Sequence, residues 1–150
     1  MRVSARADYA VRAALELAAL EGDGPVKREA LADAQSIPIN FLENILLDLK
    51  RAGLVQSQRG QEGGYWLARQ ASEVSVADVV RAVDGPLVNV RGARPEDVQY
   101  TGHAEHLRDV WLAARASLRT VLETTTLADL VRGRLPSPVK RLAETTQTPA

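Results

Sequence analysis

The chain has 150 residues, which is enough for one average domain or for a small domain with an extension. Its 19 basic and 19 acidic side chains balance, so bulk charge gives no argument for a nucleic-acid partner. The sequence contains no cysteine, which excludes disulfides, thiolate zinc sites, cysteine nucleophiles and all-cysteine iron–sulfur centres. No apolar run approaches the ~20 residues that cross a bilayer, and the N-terminal region lacks a signal-peptide core. We therefore expect a cytoplasmic protein without membrane contact.

The first half of the chain predicts three helices and a hairpin. Apolar residues recur at helical spacing in three stretches, which predicts helices over 3–20, 27–34 and 38–51. Ser4 is a candidate N-cap of the first helix, and Gly53 is the expected end of the third. Two short strand-like runs flank a glycine-rich turn, which predicts a β-hairpin with strands over 54–57 and 65–68.

The second half predicts a short helix over 75–83, a loop over 84–102, a long helix over 104–124 and a short helix over 126–131. Seven apolar residues of the long helix fit a 3.6-residue period: Leu107, Val110, Trp111, Ala114, Leu118, Val121 and Leu122. This helix is longer than a small three-helix core requires. We therefore predict that the stripe packs on a second copy of the chain, with burial in its own core as the alternative.

The order helix, helix, helix, hairpin is typical of a winged helix-turn-helix. The predicted fold class is mainly α with a small β-hairpin: a winged helix-turn-helix domain plus a long C-terminal dimerisation helix. The predicted divisions are a DNA-binding domain over 1–84, a linker loop over 85–103, the dimerisation helix and a short following helix over 104–132, and a mobile tail over 133–150.

Local placement of polar residues in this arrangement favours DNA binding. The first turns of the third helix carry Asn40, Glu43 and Asn44, and asparagine amides can pair with base edges in a major groove. Arg59 lies among glycines at the hairpin tip, from which an arginine can enter a narrow minor groove. Each residue alone has an ordinary explanation as solvated surface or a helix cap, so the prediction depends on their order and spacing. The predicted DNA-contacting residues are Lys27, Arg28, Pro38, Ile39, Asn40, Phe41, Glu43, Asn44, Arg51, Arg59, Gly60 and Gln61.

At these positions the sequence resembles the Rrf-two-type family of bacterial winged-helix regulators, relatives of the iron–sulfur cluster regulator, the nitric-oxide-sensitive repressor and the cysteine-metabolism repressor. The segments that carry the resemblance are 1–20, 38–49, 53–69 and 76–85, and more loosely 126–130. The wing motif Gly-Leu-Val, Arg-Gly, Gly-Gly-Tyr is its most specific part. The resemblance implies a homodimer on a palindromic double-stranded DNA operator. It also implies that Asn40 and Glu43 lie at base-reading positions and that Arg59 with Gly60 forms the wing tip.

The sequence departs from the iron–sulfur members of that family, which place three cysteines in the loop before the dimerisation helix. The corresponding region here, 85–107, has none, so we expect no cluster and no other cofactor. Asp8 matches a position that ligates the cluster in some members, and here we expect an exposed or capping carboxylate. His103 and His106 have a spacing that can ligate a metal, but they are the only histidines, and we predict no metal site.

How such a protein would receive a signal stays open at this point. One hypothesis is a small-molecule effector bound between the winged domain and the long helix, in a pocket lined by Trp66, Tyr100 and His103, with Trp111 nearby. The others are a protein effector and no effector at all. The predicted function is a sequence-specific transcriptional regulator, a homodimeric repressor, with a winged-helix interaction module that does not bind DNA as the alternative. The chain shows no nucleophile–base pair, metal motif or cofactor loop, so we expect no enzyme.

Overall fold

The structure, a computed structural model, describes residues 1–147 and is mainly helical with one β-hairpin. Its helices are α1 (Ala5–Ala19), α2 (Arg28–Gln35), α3 (Ile39–Arg51), α4 (Val76–Asp84), α5 (Leu107–Leu122), α6 (Leu127–Arg132) and α7 (Ser137–Gln147). Its strands are β1 (Val55–Gln58) and β2 (Gly64–Leu67). They pair antiparallel, with Val55 opposite Leu67 and Gln58 opposite Gly64. The predicted fold class is confirmed.

The core is built around α1, whose buried face is almost entirely alanine. These small side chains let α2, α3, α4 and α6 all pack against the same helix. Helix α3 contributes the larger apolar groups. Its inner face is fully buried and consists of Leu42, Ile45, Leu46 and Leu49. Each such side chain contributes about 1.5–3 kcal/mol by leaving water, so this face fixes the orientation of α3.

Local signals in the sequence set the helix boundaries. The Ala7 backbone N–H donates to Ser4 Oγ at 2.9 Å, so Ser4 caps α1 as predicted. Ser75 and Thr126 cap α4 and α6 in the same way, each reinforced by an aspartate three residues later. Gly53 has a φ of 78° and directly follows the residue that caps the C-terminus of α3, the conformation that suits glycine at a helix end.

A residue before α2 attaches the hairpin to the helical core. Val26 forms an isolated bridge to Tyr65 of β2, with two backbone hydrogen bonds of 2.8 Å. The neighbouring Gly64 has no room for a side chain, since a Cβ there would lie 2.6 Å from the Val26 carbonyl oxygen. The position of the hairpin relative to α2 is therefore set by backbone pairing rather than by flexible side chains.

Two parts of the second half differ from the prediction. The long helix begins at Leu107 rather than at residue 104, and a separate 3₁₀ turn occupies Gly102–Ala104. The tail that was expected to be mobile over 133–150 contains α7, and residues 148–150 lie outside the described part. Pro136 and Pro138 look like breaks in the sequence, but Pro138 occupies the first turn of α7, where proline is tolerated. Within residues 1–147, no helix has both the length and the apolarity needed to cross a membrane.

Candidate nucleic-acid interface

The outer face of α3 presents the residues that were predicted to read DNA. Ser36, in the left-handed conformation with a φ of 52°, ends α2 and turns the chain toward Pro38 at the start of α3. Every predicted contact residue of this helix is exposed: Pro38, Ile39, Asn40, Phe41, Glu43, Asn44 and Arg51. The face is free because the opposite one is anchored in the core. Its polar groups can therefore meet a partner without unfolding any part of the helix.

Phe41 lies on this outer face, although its spacing also fits the apolar stripe of α3. Its side chain is 47% exposed. Its ring makes an edge-to-face contact with Tyr9 of α1, with a centroid distance of 5.8 Å. Phe41 therefore closes the edge of the core and still leaves about half of its surface at the candidate interface.

Arg28 and Glu43 link the starts of α2 and α3 on this face. Arg28 Nη1 donates to Glu43 Oε1 at 2.5 Å, and Arg28 Nε lies 3.3 Å from Glu29 Oε1. All three side chains are substantially exposed, so these ion pairs add little to stability. A backbone hydrogen bond is the main cause that holds the pKa of Glu29 below its ordinary range, and the hydrogen bond from Arg28 adds to it. The Glu29 carboxylate is therefore ionised at neutral pH.

The turn between β1 and β2 projects Arg59, Gly60 and Gln61, all of which are exposed. The turn is tight: the Gly63 N–H donates to the Gly60 carbonyl at 3.1 Å, and Gly60 has a φ of 100°. Lys27 Nζ donates to the same Gly60 carbonyl at 3.0 Å. This hydrogen bond therefore connects the tip of the hairpin, which we call the wing, to Lys27, the residue before α2.

A groove of about 610 Å³ runs between α3 and the wing. It brings together five of the predicted DNA-contacting residues: Lys27, Arg28, Glu43, Arg59 and Gly60.

The groove also includes Lys50 in the last turn of α3, whose Nζ donates to Ser57 Oγ at 2.8 Å. Sequence analysis selected the neighbouring Arg51 instead. The signal that could have found Lys50 is its position one helical turn after Leu46, on the side of α3 that faces β1. Seven predicted contact residues are exposed but do not line the groove: Pro38, Ile39, Asn40, Phe41, Asn44, Arg51 and Gln61.

The long helix α5 has no buried residue in the single chain. Of the stripe predicted for dimerisation, Val110 and Ala114 are exposed and the others, Leu107, Trp111, Leu118, Val121 and Leu122, are half-buried. The alternative, burial of this stripe in the core of its own chain, is not observed among residues 1–147. A 16-residue amphipathic helix thus presents an apolar face that its own chain covers only in part.

The predicted effector pocket is not formed as expected. Trp111 Nε1 donates to the Tyr100 hydroxyl at 3.1 Å, but Trp66 lies on β2 and donates to its cross-strand neighbour Gln56 at 3.0 Å. Trp66 lines a surface cavity beside the α1–α2 connection, whereas Trp111 lines another cavity with the start of α1. His103 is exposed in its 3₁₀ turn. Trp66 therefore lines a different cavity from Trp111, the partner of Tyr100, which composition could not show.

Sequence comparison identifies relatives along nearly the whole chain. Residues 3–133 match the family described as Rrf2, iron-dependent transcriptional regulator. The Mycobacterium tuberculosis protein Rv1287, whose name places it among HTH-type transcriptional regulators, is 52% identical over 144 residues, covering 96% of this chain and 89% of that protein. The HTH-type transcriptional regulator CymR of Bacillus subtilis is 31% identical over 130 residues, covering 87% of this chain and 89% of CymR.

Solved structures agree with the sequence comparison. The structure of CymR, the global cysteine regulator of B. subtilis, superposes with a TM-score of 0.75 at 30% identity and covers 88% of this chain and 97% of CymR. The structure of T. potens IscR superposes with a TM-score of 0.70 at 30% identity and covers 100% of this chain and 93% of that one.

The family description includes dependence on iron, but the donor groups of this chain do not fit an iron–sulfur centre. The sequence offers no thiolate, and even histidine-containing clusters keep two. Asp8 is exposed and lies 3.1 Å from Arg12 Nε within α1. Across residues 1–147, histidine and carboxylate side chains nowhere gather in threes that could hold a metal ion.

The fold, the exposed recognition face and the sequence relatives lead to one assignment. The matched segment exceeds four fifths of the chain, and the matching family consists of transcriptional regulators rather than enzymes. The chain belongs to the Rrf2 family and is a DNA-binding, winged helix-turn-helix transcriptional regulator without cysteine.

Proposed function

We propose that the protein is a homodimeric repressor that binds a palindromic operator, with α3 in the major groove and the wing at the adjacent minor groove. The observation that carries this proposal is the groove between α3 and the wing. In a chain of zero net charge, it collects Lys27, Arg28, Lys50 and Arg59 against only two carboxylates, Glu29 and Glu43. Local positive charge of this kind supplies the phosphate contacts that dominate affinity for DNA.

Within this proposal, the residues divide into two roles. Lys27 and Arg28 lie at the start of α2, where free backbone N–H groups also favour phosphate, and they position the protein on the backbone. Asn40, Glu43 and Asn44 lie on the exposed face of α3 and read base edges, since asparagine pairs with adenine and glutamate accepts from cytosine. Arg28 bridges the two roles, because its guanidinium already contacts Glu43 and is exposed enough to reach a phosphate as well.

The apolar face of α5 supports the dimer. An apolar stripe in which Val110 is exposed and Trp111 and Leu118 are only half-buried is unfavourable in water, and the same helix of a second copy would cover it symmetrically. A twofold axis through this contact relates the two α3 helices. A protein with that symmetry binds two inverted half-sites separated by one helical turn of DNA or a multiple of it.

The signal does not pass through an iron–sulfur cluster in this proposal, because the chain supplies no thiolate ligands. A small-molecule or protein effector would then control operator binding. A molecule of either kind would act by binding the DNA-competent and DNA-incompetent states with different affinity.

Selection of DNA from a random-sequence duplex pool with the purified full chain tests the proposal. We expect enrichment of an inverted repeat, protection of both half-sites in a footprint, and reduced transcription in vitro when the repeat overlaps a promoter. The Asn40→Ala/Asn44→Ala variant serves as a control that keeps the charge and should lose sequence preference while retaining salt-sensitive binding. An enriched site without repeat symmetry would argue against the dimer, and increased transcription would argue against repression.

A further inference from the structure

A second cluster of basic residues, all arginines, lies outside the groove between α3 and the wing. Helix α4, the loop after it and α5 enclose a cavity of about 420 Å³. Four arginines line it: Arg81 of α4, Arg94 of the loop, and Arg115 and Arg119, one turn apart on α5. None of these belongs to α2, α3 or the wing. The volume falls within the range of small-ligand sites, roughly 300–1,000 Å³.

The carboxylates around this four-arginine cavity do not balance its guanidinium groups. Arg81 pairs with Glu123, Arg115 Nη1 lies 2.6 Å from Glu96 Oε2, and Arg94 Nε lies 3.0 Å from Asp97 Oδ2. Three carboxylates thus serve three of the arginines.

Arg119 is the fourth, and its best contact is poor. Its Nε reaches only the already paired Glu123, at 3.8 Å, and it makes no hydrogen bond within residues 1–147. A concave site with one surplus, incompletely paired guanidinium group attracts an anion, because charged hydrogen bonds are strong where water is partly excluded.

The arrangement has a fixed part and an adaptable part. Arg115 is only 17% exposed and is held by Glu96, so its guanidinium forms an ordered wall of the cavity. Arg94 and Arg119 are 67% and 47% exposed and can swing onto a ligand without breaking the core. Leu87 and Val88 supply an apolar wall beside them. Planar guanidinium forks match both phosphate and carboxylate oxygens in pairs.

We propose that the four-arginine cavity binds a small, multiply charged anion that carries phosphate or carboxylate groups. A purely structural role, in which the ion pairs only hold α4, the loop and α5 together, would leave Arg119 without a function and would not require a cavity. DNA phosphate is a less suitable occupant, because the opening lies among α4, the loop and α5 rather than along the face that presents α3 and the wing.

Isothermal titration calorimetry of the DNA-free, full-length protein tests this site with inorganic phosphate, pyrophosphate and succinate, each at equal ionic strength in sodium chloride. We expect at least one anion to bind saturably, one per chain, and the phosphate and succinate arms identify the preferred group. Arg94→Gln/Arg119→Gln should weaken binding by about tenfold or more while keeping the Arg81–Glu123 and Arg115–Glu96 pairs. Arg141→Gln, at an exposed position of α7, is the matched control and should bind as the wild type does.

Circular dichroism establishes that each variant is folded, and the single Arg119→Gln change replaces the double variant if that one does not fold. The proposal is overturned if none of the three anions gives more heat than the chloride control, or if the double variant binds as well as the wild type. It is also overturned if the double variant loses affinity for random-sequence DNA as strongly as it loses the anion, since the arginines would then contact the DNA backbone.

Discussion

Replacing Arg59 by alanine removes the guanidinium at the wing tip without removing a contact of the fold. The side chain is exposed and takes part in none of the ion pairs found within residues 1–147. The loss should therefore fall entirely on DNA binding. A charge-assisted hydrogen bond contributes about 1.5–3 kcal/mol, which corresponds to about 10-fold to about 150-fold weaker operator binding. The slope of log affinity against log salt should also fall by about 0.9, the share of one phosphate-equivalent contact.

Fluorescence anisotropy with a labelled operator duplex, repeated over a range of potassium chloride concentrations, measures both quantities. Arg141→Ala is the matched control, because it removes the same charge from an exposed position of α7. Thermal unfolding of the two variants should match the wild type. Equal affinity of wild type and Arg59→Ala, or an equal loss in the control, would refute the assignment of the wing.

Three further changes test other parts of the structure. In Gly63→Ala the added Cβ would lie 2.0 Å from a backbone carbonyl oxygen, so the wing should distort and operator binding should drop at unchanged helix content. Wild-type operator affinity in this variant would contradict the role of the tight turn. Leu118→Glu places a charge in the apolar stripe of α5 and should convert a dimer to monomers in analytical ultracentrifugation; an unchanged sedimentation coefficient would contradict the dimer contact. A backbone hydrogen bond, and then Arg115, hold the pKa of Glu96 below its ordinary range. The stability that this contact contributes is therefore present above the ordinary glutamate pKa of ~4.3 and is lost as the pH falls through the lowered value. Glu96→Gln should flatten the acid limb of the plot of unfolding free energy, measured with urea, against pH. An identical limb in the variant would argue against this contact.

The elements that depend on hydrophobic periodicity and on capping or turn residues could be predicted from the sequence. The alanine-rich face of α1, the Ser4 cap and the Gly53 end are local features, since each depends on residues within one or two turns of the chain. The wing is also indicated by a local pattern, a glycine-rich turn between two short strand-like runs. Arg59 at its tip is exposed for that local reason.

The remaining features depend on contacts between distant residues, which spacing does not encode. Lys50 lines the groove between α3 and the wing because β1 folds back beside α3, where Ser57 accepts a hydrogen bond from Lys50. Trp66 and Trp111 line separate cavities, because β2 pairs beside Val26 at the α1–α2 connection whereas α5 lies beside the start of α1. Neither arrangement follows from the composition of the segments, so composition could not show that Trp66 and Trp111 line different cavities.

Net charge proved a poor guide for a physical reason. Screening limits the reach of an exposed charge to about 8–10 Å at moderate salt, so a phosphate responds to its near neighbours and not to the sum over the chain. In the groove between α3 and the wing those neighbours include Lys27, Lys50 and Arg59. Many of the carboxylates that bring the net charge of the chain to zero lie elsewhere in the sequence. The same reasoning applies to the four-arginine cavity, where Arg119 competes with Arg81 for a single glutamate. A neutral protein can therefore hold two separate anion-attracting surfaces. Because they share no residue, a variant in one should leave anion or DNA binding at the other intact.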